Sequence, residues 1–142
     1  MPTFYPEHDN PRGHNLDPFT QGYLGAAEWL AKVWAEDRDD DNLTDDERSR
    51  CRGFTRKAIA EAKRDCKAFQ KTNKADLATY YEISGRDEES AGMDYWLSRN
   101  GHGVGYFDRG YDPVFDRLQE MARLDGSRSC VLYRNRLIFE SC

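Results

Sequence analysis

The sequence predicts an α+β fold in which three N-terminal helices precede a β-β-α-β-β segment, forming one antiparallel sheet covered by helices. In the first half of the chain, apolar residues recur at the spacing of an amphipathic helix. In the second half the period changes to two and turn dipeptides appear, which is typical of strands. The chain has 142 residues, with 7 Phe, 8 Tyr and 3 Trp, so we expect a single domain over residues 1–142 with its own core.

Composition excludes several classes of protein. No apolar run approaches the roughly 20 residues that span a bilayer, and the N terminus lacks the basic and apolar stretches of an export signal. The four cysteines have neither metal-ligand nor disulfide-motif spacing, so we expect reduced thiols and no cofactor. These are Cys51, Cys66, Cys130 and Cys142. The sequence therefore predicts a cytosolic protein without a membrane partner.

The first helix follows an extended N-terminal arm. Residues 1–18 contain four prolines and no helical period, which predicts an arm without regular structure. His8 and His14 have no ligand cluster around them, so we expect them to face solvent and to bind no metal. From Thr20 to about Asp37 the spacing predicts a helix. Its apolar stripe comprises Tyr23, Ala27, Leu30 and Trp34.

The second helix is predicted over residues 48–74. Thr44 and Glu47 have the spacing of a capping box, which satisfies two backbone amides at a helix start. One face is apolar, and the opposite face is basic, because residues 48–74 contain ten Lys and Arg against two acids, Glu61 and Asp65. A short third helix is predicted over residues 75–82.

The next segment predicts a β-hairpin. Residues 93–98 alternate and are rich in aromatic residues, Asn100-Gly101 is a type I′ turn dipeptide, and residues 102–107 form the second predicted strand. Glycines at alternate positions of that strand would leave one face open to Trp96 or to a ligand.

The C-terminal third predicts a helix and a second hairpin. Asp112 followed by Pro113 is an N-cap with proline at the first helical position, and Gly126 is the predicted stop. Residues 130–133 and 137–140 alternate on both sides of a short turn, so we expect them to pair.

The first hairpin carries the candidate ligand site. Two guanidinium groups, an imidazole, an amide and a carboxylate lie near its turn, and such a group of side chains suits a phosphate, a carboxylate or a nucleotide. The residues are Arg99, Asn100, His102, Asp108 and Arg109. Two interpretations remain open: the glycines admit a ligand, or they are covered by the Trp96 ring for structural reasons. This segment supplies an alternative function, a binder or hydrolase of a nucleotide or other anion. No catalytic residue is assigned, because Asp108 lies too far along the strand from His102 for a tight dyad.

The string AGMDYWLSRNGHGVGYFDRG resembles a D-x-W-L-x-R-N-G-H-G-x-G-x-x-D-R signature of small uncharacterised proteins encoded by tailed bacteriophages and related mobile elements. FTQGYLGAAEW and RDCKAFQ also fit, so the resemblance covers residues 19–112. Met93 departs from the pattern, since this position is often polar in that family. The resemblance implies a mobile-element origin and a role in the cytoplasm of the host cell, and it supplies no catalytic residue.

An acidic run between the first two predicted helices suggests a protein-binding surface. Its members are Asp37, Asp39, Asp40, Asp41, Asp45 and Asp46. Together with the resemblance, this run suggests an accessory protein that inhibits a host defence system such as CRISPR interference by covering a basic nucleic-acid channel. The expected partner is a host protein or ribonucleoprotein complex. A calcium loop is disfavoured, because Asn42 replaces the turn glycine and Arg48 replaces the closing glutamate.

The basic helix supplies a third hypothesis, nucleic-acid binding. Lysines and arginines along one helix face can contact successive phosphates. Two observations disfavour direct binding: no aromatic residue interrupts the predicted basic face, and the net charge of the chain is -5.

Overall fold

The computed structural model describes residues 16–36, 53–133 and 136–141. Within these ranges the elements are α1 (Pro18–Glu36), α2 (Arg56–Thr72), α3 (Lys74–Ser84), α4 (Glu88–Arg99), a 3-10 turn (Tyr106–Asp108), α5 (Pro113–Leu124), β1 (Arg128–Tyr133) and β2 (Arg136–Ser141). The predicted fold class is wrong. The described residues are mostly helical, and their one sheet has two antiparallel strands near the C terminus.

α1 and α4 cross at the centre of the fold, where two glycines let their backbones approach. A Cβ atom on Gly22 of α1 would overlap the carbonyl oxygen of Glu89, and one on Gly92 of α4 would overlap that of Phe19. Neither position has room for a side chain, so the crossing requires glycine on both helices. Seven of the twelve residues of α4 are buried, and the polar residues Asp94, Ser98 and Arg99 are among them.

The hairpin predicted over residues 93–107 is wrong, because its first strand is the second half of α4. α4 begins at an N-cap, where Asp87 Oδ1 accepts a 2.8 Å hydrogen bond from the backbone N–H of Ser90. Because polar residues of α4 are buried together with its apolar residues, its sequence lacks the separate polar face that marks an amphipathic helix. Apolar and polar residues therefore alternate along this segment in a way that resembles a strand.

The Asn100-Gly101 dipeptide ends α4 instead of turning a hairpin. Gly101 has φ +65° and donates its N–H to the carbonyl of Ser98 at 3.4 Å. The N–H of His102 donates to the carbonyl of Leu97 at 3.2 Å. This pair of hydrogen bonds is a Schellman motif, which uses a left-handed glycine as a type I′ turn does. The Asn-Gly dipeptide therefore did indicate a left-handed glycine. Such a glycine can turn a hairpin, but here it ends a helix.

α2 begins at Arg56, not at residue 48 as predicted. Its N-cap is Thr55, whose Oγ1 accepts a 3.1 Å hydrogen bond from the N–H of Ala58. The predicted capping box at residues 44–47 lies outside the described residues. The same holds for the predicted arm up to residue 15, including both of its histidines.

A short backbone bridge fixes the start of α2 against the sheet. Phe54 and Leu137 form an isolated parallel bridge. The N–H of Thr55 donates to the carbonyl of Leu137 at 3.1 Å, and the N–H of Leu137 donates to the carbonyl of Gly53 at 2.8 Å. β2 therefore pairs with β1 on one edge and holds the approach to α2 on the other.

The other predicted elements are present. The third predicted helix, residues 75–82, corresponds to α3. Asp112 caps α5 by accepting a 2.9 Å hydrogen bond from the N–H of Val114. The C-terminal hairpin is confirmed as β1 and β2, with Tyr133 paired to Arg136 beside the turn.

Aromatic rings join the helices in the core. Phe69 of α2 stacks on Tyr95 of α4 with ring centroids 4.2 Å apart, and on Tyr106 at 5.9 Å. Tyr23 of α1 stacks on Tyr95 from another side, at 5.3 Å. The inner face of α2 is therefore held by aromatic contacts, and its opposite face is exposed to solvent.

Candidate functional sites

The predicted ligand residue Arg99 lies in the core with its side chain 3% exposed. Its Nη1 donates to Tyr23 Oη at 3.1 Å and to Asp65 Oδ2 at 3.0 Å. Its Nε and Nη2 donate to the carbonyls of Gly126 and Asp125, each at 2.7 Å. Every nitrogen of this guanidinium therefore has an internal acceptor, and the side chain ties α4 to α1, α2 and the end of α5.

Arg109, the second predicted guanidinium, forms a bidentate ion pair with Asp94 of α4. The shortest hydrogen bond, from Arg109 Nη2 to Asp94 Oδ1, is 2.6 Å, and the Asp94 side chain is fully buried. Asp94 Oδ2 also accepts from Tyr80 Oη at 2.7 Å, and Arg86 Nε lies 3.6 Å away. Hydrogen bonding to Asp94, opposed by partial burial, raises the pKa of Arg109. The Asp and the Arg at the ends of the D-x-W-to-D-R string therefore form a buried connection.

The remaining three predicted ligand residues differ in their surroundings. Asn100 donates from Nδ2 to the carbonyl of Trp96 at 3.0 Å and accepts from the N–H of Arg128 at 2.7 Å. His102 is half-buried, and burial lowers its pKa. Asp108 is exposed.

The structure thus separates the two guanidinium groups into different networks, one around Asp65 and the other around Asp94. The hairpin that was to bring all five residues together does not exist. Binding of a ligand by these residues remains a prediction, but it no longer has the support of that geometry. The six aspartates of the predicted protein-binding surface lie outside the described residues.

The outer surface of α2 presents a continuous band of positive charge, which we call the basic face. Its seven side chains are exposed. They are Arg56, Lys57, Lys63, Arg64, Lys67, Lys71 and, at the first position of α3, Lys74. At about 100° per residue, the α2 cations lie within roughly a third of the helix circumference, opposite the buried stripe. That stripe comprises Ala58, Ile59, Ala62, Cys66 and Phe69.

The two acids of α2 are both paired with residues of other elements. Glu61 Oε2 accepts a 3.0 Å hydrogen bond from Arg128 of β1. Asp65 Oδ2 accepts from Arg99 of α4 at 3.0 Å, and its Oδ1 lies 3.2 Å from Arg64 Nε. Glu61 and one oxygen of Asp65 therefore pair with arginines of other elements, while the second oxygen of Asp65 offsets part of the charge of Arg64 on the basic face.

An open depression of about 380 Å³ lies beside the basic face, where α2 meets the start of α1. It is lined by Asp17, Thr20, Lys63, Arg64 and Lys67. Asp17 Oδ1 accepts from the N–H of Thr20 at 2.8 Å, and its Oδ2 accepts from Gln70 at 3.1 Å. Burial opposes ionisation of Asp17, but these hydrogen bonds and the nearby charge of Lys63 lower its pKa overall.

The sequence located the basic face through helical period, whereas it missed the two networks below the surface. Asp94 and Arg109 are separated by fifteen positions, and Arg99 and Asp65 by thirty-four. Neither separation is a local motif, so only the tertiary structure brings these charges together. Tyr80 carried no sequence signal beyond its place on the buried side of a helix.

The described part of the chain contains no group of three potential metal ligands and no helix long and apolar enough to cross a membrane. Comparisons of the chain with protein-family models, curated proteins and solved structures give no match. The resemblance to phage-encoded proteins therefore remains a prediction.

Proposed function

We propose that this protein binds nucleic acid through the basic face of α2. One observation carries the proposal: seven exposed cations share this surface, while both acids of the helix pair with arginines of other elements and only Asp65 also contacts a cation of the surface, Arg64. A helix that neutralises several phosphates releases their condensed counterions, which favours binding at low salt. The expectation against direct binding rested on the net charge of the chain and on the lack of an aromatic residue on the basic face. Binding depends on local charge, however, and contacts with phosphates require no aromatic ring.

The anchoring of α2 supports the proposal. Phe69 is stacked in the core, Thr55 caps the first turn, and Leu137 holds the preceding backbone. The positions from which the lysines project are therefore fixed before a ligand arrives. Five of the seven cations are lysines, which act as flexible point charges suited to phosphate oxygens.

The same geometry disfavours a lipid surface as the ligand. An amphipathic helix binds a bilayer by burying its apolar side among the lipids. In α2 this side already packs in the core, with Ile59 and Cys66 fully buried. Vesicle binding would therefore depend on charge alone.

Two earlier hypotheses stand beside this one: inhibition of a host defence system, and binding or hydrolysis of a nucleotide or other anion by the segment 99–109. Inhibition of a host defence system by the acidic run depends on residues outside the described ranges, so it stays a separate prediction. A place in the host cytoplasm is part of the present proposal, since nucleic acid is accessible there.

The proposal is tested by fluorescence anisotropy with a labelled mixed-sequence 20-base-pair DNA in 50 and 200 mM KCl. We expect Lys67→Gln/Lys71→Gln to weaken binding about tenfold or more at the lower salt, because two phosphate contacts are lost. Arg123→Gln removes one exposed cation of α5, outside the basic face, and is the control for the single variants Lys67→Gln and Lys71→Gln, which each remove one charge as well. Equal affinity of the double variant and the parent would contradict the proposal. So would binding to vesicles with 30% anionic lipid in the absence of DNA binding.

A further inference from the structure

We infer that the ligand of the basic face is a double-stranded nucleic acid, contacted through its phosphates without recognition of base sequence. This inference rests on the proposed function and specifies its substrate class. Two observations support it. The basic face has few side chains that could read base edges, and Trp29, an exposed aromatic residue of α1, lies away from this face.

The surface between the cations offers little with which to read bases. The other exposed residues of α2 are Ala60, Ala68 and Thr72. Base edges are read mainly by Arg, Asn and Gln forks. Gln70 donates to Asp17 and to the carbonyl of Cys66, and the Nε of Arg64 is paired with Asp65. The exposed guanidinium of Arg56 lies at the first residue of α2, at one end of the face. The available groups are mostly ammonium ions, which contact phosphate regardless of sequence.

Stacking of unpaired bases is also unsupported at this surface. Phe69, the aromatic residue of α2, is buried. Trp29 of α1 is 49% exposed, but it lies nine positions after Thr20, which lines the depression beside α2. At about 100° per residue, nine positions place Trp29 on the opposite side of α1. Among the described residues of α1 and α2, no exposed aromatic ring therefore adjoins the basic face.

Without stacking, charge density decides between a duplex and a single strand. Proteins that bind single strands gain about 1–3 kcal/mol per base from aromatic stacking. A duplex instead offers one phosphate per ~1.7 Å of its axis, with its bases already stacked. α2 has 17 residues, so it spans about 25 Å, the length of roughly seven base pairs. A straight helix of this length can therefore contact phosphates of both strands.

The test compares two 20-base-pair duplexes of unrelated sequence with one of their single strands, by anisotropy at several KCl concentrations between 50 and 200 mM. The two duplexes are expected to bind equally within about twofold, and the single strand about tenfold more weakly. With about four phosphate contacts, log Kd should change by about 3.6 per tenfold change in salt for the duplex, and by about 2.8 for the strand.

Two variants complete the test. Lys67→Gln/Lys71→Gln should reduce the salt slope for duplex by about 1.8, whereas Trp29→Ala should leave both affinities unchanged within about twofold. A tenfold preference for one duplex, tighter binding of the single strand, or a tenfold loss in Trp29→Ala would overturn the inference while leaving the proposed function intact. Absence of binding to every nucleic acid would overturn both.

Discussion

The basic face and the segment from Asp94 to Arg109 both contain cationic residues, yet they use them in opposite ways. On the basic face all seven cations are exposed, including Arg64, which contacts Asp65. In the second segment, Arg99 and Arg109 are held by internal carboxylates and carbonyls. Arginines in a sequence motif therefore indicate a binding site only when their side chains reach the surface, and Arg99 shows that a core network can use the same residue type.

The largest effect is expected from Asp94→Ala, which removes the buried acceptor of Arg109 and Tyr80. We expect a loss of about 3 kcal/mol in the free energy of unfolding, because a half-buried guanidinium is left without its partner. Urea denaturation measures this loss. Asp108→Ala, an exposed neighbour, serves as the control and should change stability by less than about 0.5 kcal/mol. Similar small values for both variants would mean that the two regions do not differ as described.

A smaller effect is expected from Arg99→Lys. Lysine cannot reproduce the fork that donates to Tyr23, Asp65 and the two carbonyls near Gly126. We expect a loss of about 2 kcal/mol, measured by urea denaturation. In contrast, Lys67→Arg on the basic face should be neutral within about 0.5 kcal/mol. Equal tolerance at both positions would remove the distinction between internal and exposed cations.

The Schellman motif gives a third prediction. Gly101→Ala should cost about 1 kcal/mol, because an L side chain is strained at φ +65°, although no atom lies within 4 Å of the added Cβ. Gly101→Asn should lower the free energy of unfolding by less than Gly101→Ala does, since asparagine tolerates the left-handed region. Thermal unfolding of both variants measures the order, and a larger loss for asparagine would contradict the backbone explanation.

The smallest effect concerns Asp17 at the edge of the basic face. Because folding lowers its pKa from the usual 3.8, its carboxylate stabilises the protein above about pH 4, and this stabilisation is lost as pH falls through the folded pKa. Asp17→Asn should flatten the pH dependence of stability between about pH 5 and 2. It should also tighten duplex binding by about two- to threefold, because it removes one negative charge beside Lys63. Unchanged affinity would show that the depression does not adjoin bound DNA.

Local sequence patterns predicted the elements whose structure depends on local interactions. The Asp112 cap, the C-terminal hairpin and the two faces of α2 each follow from residues within a few positions of one another. α4 was missed because it lies at the centre, where its polar residues Asp94 and Arg99 are buried with distant partners. The candidate site followed the same division: exposed cations could be placed by helical period, but internal ion pairs could not.

The bridge between Phe54 and Leu137 bears on the order of folding. It joins the beginning of α2 to a strand near the opposite end of the sequence, and contacts of such separation form slowly because a long loop must close first. Refolding experiments should therefore find amide protection in the middle of α2 before the N–H of Thr55 becomes protected. A chain stalled before β2 emerges from the ribosome would lack this last attachment, leaving the first turn of α2 prone to fraying.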